Sequence, residues 1–293
     1  MIRVGRLTTA LAVSALLSSA AVAQEGAPVL FEIEGEKPSY LFGTFQPAFK
    51  STSELPAVVS EKLGAVDAVL EETVQDQQAV QKYLFLEGGK TLKDVLPEDV
   101  YATVEQRLKA KGISMAQLAR FRPWVVGMQL TQLEFMAEMQ QGVGQGPALA
   151  KVIGSKPKTG LLTFEQAAGA FAGAAMEDQV QIVVDVLGKL KEWDAAGKKP
   201  NSEWAEAYLS GDLDAIYAAW EQDMTGESDD LNKRLIKAMY DDYVDLMATK
   251  IAEQVGKGDK SYGIPVSSYL LGGPNSLIKA LEAKGLKLKR IGE

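Results

Sequence analysis

Strand-forming runs lie at both ends of this chain and helix-forming sequence fills its middle, an arrangement that leaves few folds open. Leu30, Phe31 and Ile33, then Ser39 to Phe45, are two apolar runs separated by Gly35-Glu-Lys-Pro38, which predicts an opening β-hairpin. A helical segment beginning at Leu55-Pro56 follows, with Val58, Val59, Leu63 and Val66 near helical period. Ala68-Val-Leu70 then ends abruptly in Glu71-Glu72, which predicts a strand that delivers carboxylates at its C-terminal end. At the far end, Ser261 to Val266 predicts a strand, Gly272 to Ser276 a turn, Leu277 to Lys284 a helix, and Leu286 to Ile291 a last strand. Strands at the two ends must pair with one another to satisfy their backbone groups. The expected fold is therefore α/β: a β-sheet formed by N- and C-terminal strands, with a large helical middle lobe.

Helix signals dominate from Gln75 onward. Glu98 to Lys111 reads as a helix closed by Gly112, and Ser114 caps a segment running from Met115 to Phe121. Pro123-Trp124 opens an apolar stretch through Met139, whose Trp124, Met128, Leu130, Leu133, Phe135 and Met136 fit a core-facing helix. Gly142-Val-Gly-Gln-Gly146 breaks it. Neither a preceding strand nor a following Lys-Ser/Thr accompanies these glycines, so they do not make a phosphate-binding loop. A short strand is expected at Gly160 to Phe164, helix from Glu165 to Leu190, two helices around Ser210-Gly211-Asp212, and a long one from Asp229 to Gln254. No repeat recurs at a fixed period.

What the chain lacks narrows its chemistry. It holds no Cys and no His, which excludes disulfides, zinc-finger spacings, Ser-His-Asp triads, Cys-His nucleophiles and imidazole metal sites. Arg3 and Arg6 precede an uncharged run from Leu7 to Val22 that closes in Ala21-Val22-Ala23, the three-part layout of a secretory signal peptide cleaved after Ala23. The expected division is residues 1–23 as signal peptide and 24–293 as the folded domain, periplasmic in a Gram-negative bacterium, with no membrane span after cleavage. The leader carries two Arg and no acid, so its loss leaves 29 basic against 39 acidic residues. An acidic surface without a basic stripe repels phosphate backbones, so nucleic acid is not an expected partner.

Four groups of residues could carry chemistry. Glu71 and Glu72 sit at a strand end, where α/β proteins place ligand-facing groups, and the pleat lets only one of them face a given pocket. Gly43-Thr-Phe-Gln46 follows an apolar strand, and Gly43 permits close backbone approach or simply builds the turn. Asp241, Asp242 and Asp245, with Asp229 and Asp230, form an acidic helix face lacking calcium-loop spacing, and read as solvated. Tyr262, Ser267, Ser268 and Tyr269 gather hydroxyls, but no His or Lys is spaced to deprotonate a serine.

In order and spacing these segments resemble the TraB/GumN family, whose animal relatives are the Tiki membrane-anchored proteases. The resemblance runs through Tyr40-Leu-Phe-Gly-Thr44, Ala68-Val-Leu-Glu-Glu72, Arg122-Pro-Trp124, Gly142-Val143, Gly160-Leu161 with Glu165-Gln166, and Gly211-Asp-Leu213. It continues through Leu270 to Gly273, Leu277 to Leu281 and Lys284-Gly285. The family pattern it implies carries a histidine at the end of each of two GxxH motifs, holding a divalent metal with a strand-end glutamate. Here Gln46 ends the first motif and Tyr269 the second, where Val266 replaces the glycine. The family's Gly-Val-Asp reads Gly142-Val-Gly144, its Gly-Leu-Glu reads Gly160-Leu-Leu162, and its Arg-Asn pair falls on Tyr243-Val244. The glutamate remains, as Glu71 or Glu72.

A hydrolytic metal normally takes about three protein ligands, imidazole foremost for zinc, cobalt or manganese. One carboxylate, an amide oxygen and a phenol would hold it far more weakly. The expectation is therefore a scaffold with no metal or other cofactor, which binds a protein or small-molecule ligand through Gly43, Gln46, Glu71, Glu72 and Tyr269. Two alternatives stand beside it: a divergent metal-dependent hydrolase, in which the strand-end glutamate with Gln46 recruits a divalent cation or activates water, and a structural envelope protein without a cleft.

Overall fold

The computed structural model describes residues 28–73, 77–140 and 142–292; the expected signal peptide and the Gln75 boundary lie outside them. Six strands form one sheet: β1 (Leu30–Ile33), β2 (Ser39–Thr44), β3 (Ala68–Thr73), β4 (Lys158–Leu162), β5 (Tyr262–Ser267) and β6 (Leu288–Arg290), in the order β4-β3-β5-β2-β1-β6. β1 pairs antiparallel with both β2 and β6. β5 runs parallel to β2, with Tyr40 opposite Gly263 and Thr44 opposite Ser267, and parallel to β3 on its other side. The C-terminal strand β5 thus joins the opening hairpin to β3 and β4, as pairing between the chain ends requires.

Period-two alternation sends the side chains of β1 and β2 into two cores, one on each face of the sheet. Leu41, Leu70, Ile264 and Val266 face the helices Asp242–Val255 and Leu277–Ala283, meeting Val244, Met247 and Ile251. Tyr40 and Phe42 face the other way, onto Val59 and Leu63 of the Ala57–Ala65 helix. A third core belongs to the middle lobe, where Leu92, Val104, Leu108, Val126, Leu130, Val183 and Leu190 pack among the helices Glu98–Ala110, Pro123–Leu133 and Met176–Ala196.

Three long helices differ from the reading of the sequence. Glu165 to Leu190 divides between the helices Phe164–Ala172 and Met176–Ala196. The apolar stretch from Pro123 ends at Leu133 and restarts at Met136. At the break Glu134 pairs with Lys111 at 2.8 Å, while buried Phe135 turns to the ring of Phe49 at 5.2 Å. The Asp229–Gln254 segment contains a π-helical turn, Lys237–Asp241, between the helices Asp229–Ile236 and Asp242–Val255. Such an insertion rotates the residues that follow it, and π turns concentrate at functional sites. The glycine segment does break the chain, at Gly142 and Gly144, but Gln145 already begins a helix that runs to Ile153.

That helix is fixed by a buried polar chain. Gln145 accepts from the Phe45 amide at 2.9 Å and donates to the Tyr208 hydroxyl at 2.9 Å, and Tyr208 in turn donates to the Gly43 carbonyl at 3.0 Å. Burial pushes the Tyr208 phenol up to about 12, so the chain stays neutral. Three elements distant in sequence are thereby pinned at the C-terminal end of β2.

Candidate ligand-binding site

The C-terminal ends of β2, β3 and β5 meet the middle lobe at one place, and the pleat separates the two glutamates there. Glu71 turns to Lys158 on β4, an ion pair at 2.7 Å with both side chains partly in solvent. Glu72 turns the opposite way. Its Oε1 accepts from the Ser267 amide at 2.6 Å and its Oε2 from the Tyr243 hydroxyl at 2.9 Å. Although the residue keeps some accessible surface, its carboxyl group is enclosed by protein, and loss of hydration raises its pKa against the opposing pull of these two hydrogen bonds. Desolvation and the Glu72 charge push the Tyr243 phenol far up as well, so Tyr243 remains the donor.

Tyr269 lies on the 3₁₀ turn Ser268–Leu271 that follows β5. Its ring stacks on Trp220 at 4.0 Å and 5°, and stands edge-on to Trp204 at 6.1 Å. Burial first and the Glu72 charge second push its phenol up, so it too stays protonated. Gly43 lies within β2, where a Cβ would come within 2.5 Å of Val29 and 2.9 Å of Leu271. Of the two roles open to Gly43, close approach is the one observed: it lets the 3₁₀ turn settle against the strand. Gly272 does the same at the other end of that turn, where a Cβ would fall 1.8 Å from the Leu213 carbonyl. Gln46 is exposed on the loop after β2 and donates to the Thr44 hydroxyl at 3.2 Å.

Between this rim and the middle lobe opens a cavity of about 340 Å³. Gln46, Ser267 and Tyr269 line it from the sheet side; Trp193, Trp204, Trp220 and Phe135 supply aromatic walls. Met239, carried by the π turn, also faces it. The cavity therefore joins Gln46 to Tyr269, with Glu72 one hydrogen bond behind the lining, through Ser267. Gly43 acts on it only by packing, and Glu71 is directed elsewhere.

Sequence reasoning missed the helical wall. Asp185 and Lys189 come from the Met176–Ala196 helix and Asp223 from the Leu213–Met224 helix, and all three line the cavity. The Asp223 carboxyl is pushed up to about 6, first by desolvation and then by the nearby Glu203 charge. Its Oδ2 is buried and has no hydrogen-bond partner among the described residues, and the same is true of the Trp204 indole nitrogen. The spacing of Trp204, Trp220 and Asp223 is ordinary for amphipathic helices, so no local signal set them apart.

A divalent cation does not fit the candidate residues as they stand. Both Glu72 oxygens are taken by protein donors, the Tyr269 phenol is held protonated, and no cluster of three or more acidic side chains able to hold a metal occurs among the described residues. The acidic helix face is partly tied up: Asp241 accepts from Asn275 at 2.7 Å and Asp242 pairs with Lys237. No described helix is long and apolar enough to cross a membrane.

No curated protein and no solved structure matches the chain. A family model does, over residues 29–290, a span that takes in all six strands and every residue of the cavity wall. On that match the chain belongs to the TraB/PrgY/gumN family.

Proposed function

We propose that this family member is an exported, periplasmic binding protein that takes a ligand in the cavity between sheet rim and helical lobe and does not hydrolyse it. One observation carries the reading: each oxygen of Glu72 accepts a hydrogen bond from the protein itself, from Ser267 and from Tyr243. A general base or metal ligand needs a free lone pair aimed at water or at an ion. In this pocket each Glu72 oxygen already has a protein donor and the carboxyl is not among the groups that line the cavity, and the phenols around it are too weakly acidic to replace a histidine as ligand. The cavity beside Glu72 is walled mainly by aromatic and aliphatic side chains with a few polar groups, the usual make-up of a small-molecule site. Its presence also speaks against a purely structural envelope role.

The test is a pair of measurements on the purified chain. Peptide cleavage is assayed with manganese, cobalt and zinc added in turn, beside elemental analysis of the protein as isolated. No turnover above the buffer rate is expected. Metal at one equivalent together with turnover lost in Glu72→Gln would replace this reading by that of a divergent metal-dependent hydrolase. Binding is read from intrinsic fluorescence, because three of the four tryptophans line the cavity. Export is checked by cell fractionation and N-terminal sequencing, with Gln24 expected as the first residue.

A further inference from the structure

We infer that the cavity selects a small organic cation with an aromatic or apolar body, its charged nitrogen seated against Asp223 and its body against the Trp220–Tyr269 stack. The inference rests on the reading of this cavity as the binding site, and adds the chemical class of what it binds.

Among the described residues, three charged side chains line the cavity: Asp185, Lys189 and Asp223. Asp185 is partly satisfied, its Oδ1 accepting from Gln181 at 2.9 Å. Lys189 lies 4.0 Å from Glu192 one helical turn on. Asp223 alone among them has a buried oxygen without a hydrogen-bond partner among the described residues. An unmet buried acceptor is costly, and more so when it belongs to a carboxylate. Oδ2 has no exposed surface in this conformation, so a ligand donor reaches it as the side chain turns into the cavity it already lines.

The walls point the same way. Ring faces carry negative charge density, and a cation within about 6 Å of an aromatic face is attracted to it. Trp193, Trp204, Trp220, Tyr269 and Phe135 offer such surface around the carboxylates. An anion would meet ring faces and two carboxylates with Lys189 as the one opposing charge in the lining. A neutral apolar molecule would fill the walls but leave Asp223 as it is. An acceptor beside the cation would gain the Trp204 indole N–H, which also has no partner among the described residues.

Isothermal titration calorimetry with three indoles of similar body tests this: tryptamine (cation), 3-methylindole (neutral) and indole-3-propionate (anion). At pH 7.5 tryptamine should bind at least tenfold more tightly than 3-methylindole, and indole-3-propionate more weakly than either. Asp223→Asn should bring tryptamine to the affinity of 3-methylindole and leave 3-methylindole unchanged. Asp223→Ser provides a second, smaller replacement with the same expected result, and thermal melts verify that both variants fold. Lowering the pH to 5 should weaken tryptamine several-fold in the parent chain, because Asp223 takes up a proton, and not in Asp223→Asn. The other charges acting on Asp223 are Glu203, Lys189 and Lys198, of which Glu203 opposes the ionised form and the two lysines favour it. If the neutral or anionic indole matches tryptamine, or folded Asp223 variants keep the preference, the cation assignment is overturned while the cavity reading stands. If none of the three binds up to its solubility limit, the cavity reading falls and the assignment with it.

Discussion

Two enclosed carboxyl groups border the same cavity and are treated in opposite ways. Glu72, behind the sheet rim, has both oxygens bonded, one by a backbone amide fixed in β5 and one by a phenol that burial keeps protonated. Asp223, on the helical wall, leaves one oxygen with no partner among the described residues, and its titration is displaced to about 6. Desolvation raises both pKa values; Glu72 has a donor on each oxygen, whereas Asp223 feels Lys189, the Asn201 amide and Lys198 but leaves Oδ2 without a partner among the described residues. The difference teaches where function lies. A satisfied carboxylate belongs to the scaffold and resists change, whereas an unsatisfied one is a standing cost that a ligand can offset.

Five substitutions would break or sharpen this contrast. Glu72→Ala should have the largest effect, a loss of about 2–3 kcal/mol in urea unfolding, because the Ser267 amide and Tyr243 hydroxyl lose their acceptor. Glu72→Gln should cost much less, since its amide can accept from Ser267 and donate to the Tyr243 oxygen. A comparable loss in Glu72→Gln would mean that the charge itself holds the rim together.

Asp223→Asn should go the other way. From about pH 4, where an unfolded Asp titrates, to about pH 6, the folded chain binds the Asp223 proton more tightly than the unfolded chain. Stability from this group is therefore full at acid pH and falls as pH rises through that window. The variant removes that fall and should be more stable than the parent by about 2 kcal/mol at pH 7.5, and equal to it near pH 4. Unfolding curves at the two pH values decide it; a variant less stable than the parent at pH 7.5 would mean that Asp223 is satisfied after all.

Smaller still is Tyr243→Phe, which strips one hydrogen bond from a charged acceptor. A loss of about 1.5 kcal/mol is expected at pH 8, with less at pH 5, where Glu72, its pKa raised further, takes a proton more readily. Equal losses at both pH values would mean that only ring packing had changed. Last, Glu71→Gln removes a solvent-exposed ion pair with Lys158 and should shift stability by less than about 0.5 kcal/mol. A shift as large as that of Glu72→Ala would erase the distinction between the two adjacent glutamates.

Much of the scaffold was legible because its signals are local. The Gly35–Pro38 turn between two apolar runs announced the hairpin, and the apolar run before Glu71-Glu72 announced a strand that ends in carboxylates. The Ser114 cap and the Gly211-Asp212 joint were likewise readable in place, and both are present. The Glu134–Phe135 break and the π turn were not. Both interrupt sequences of good helical period, and both depend on partners from elsewhere, such as Phe49 for Phe135.

The candidate site divides along the same line. Gln46 and Tyr269 were singled out by their positions in a family pattern, and they line one cavity. Trp220 and Asp223 carry no such mark, yet Trp220 stacks on Tyr269 and Asp223 holds the unpaired oxygen.

From its sequence alone this chain has its strand alternation, its want of imidazole and thiol, and a glutamate pair at a strand end; these are properties of residue order and need no partner. Only the tertiary structure decided that Glu72 faces inward and Glu71 outward, that Ser267 and Tyr243 each donate to Glu72, and that one oxygen of Asp223, on the helical wall, has no partner among the described residues. The phase of the β3 pleat is set by its pairing with β4 and β5, and a buried charge is answered fully or in part by residues far away in the chain.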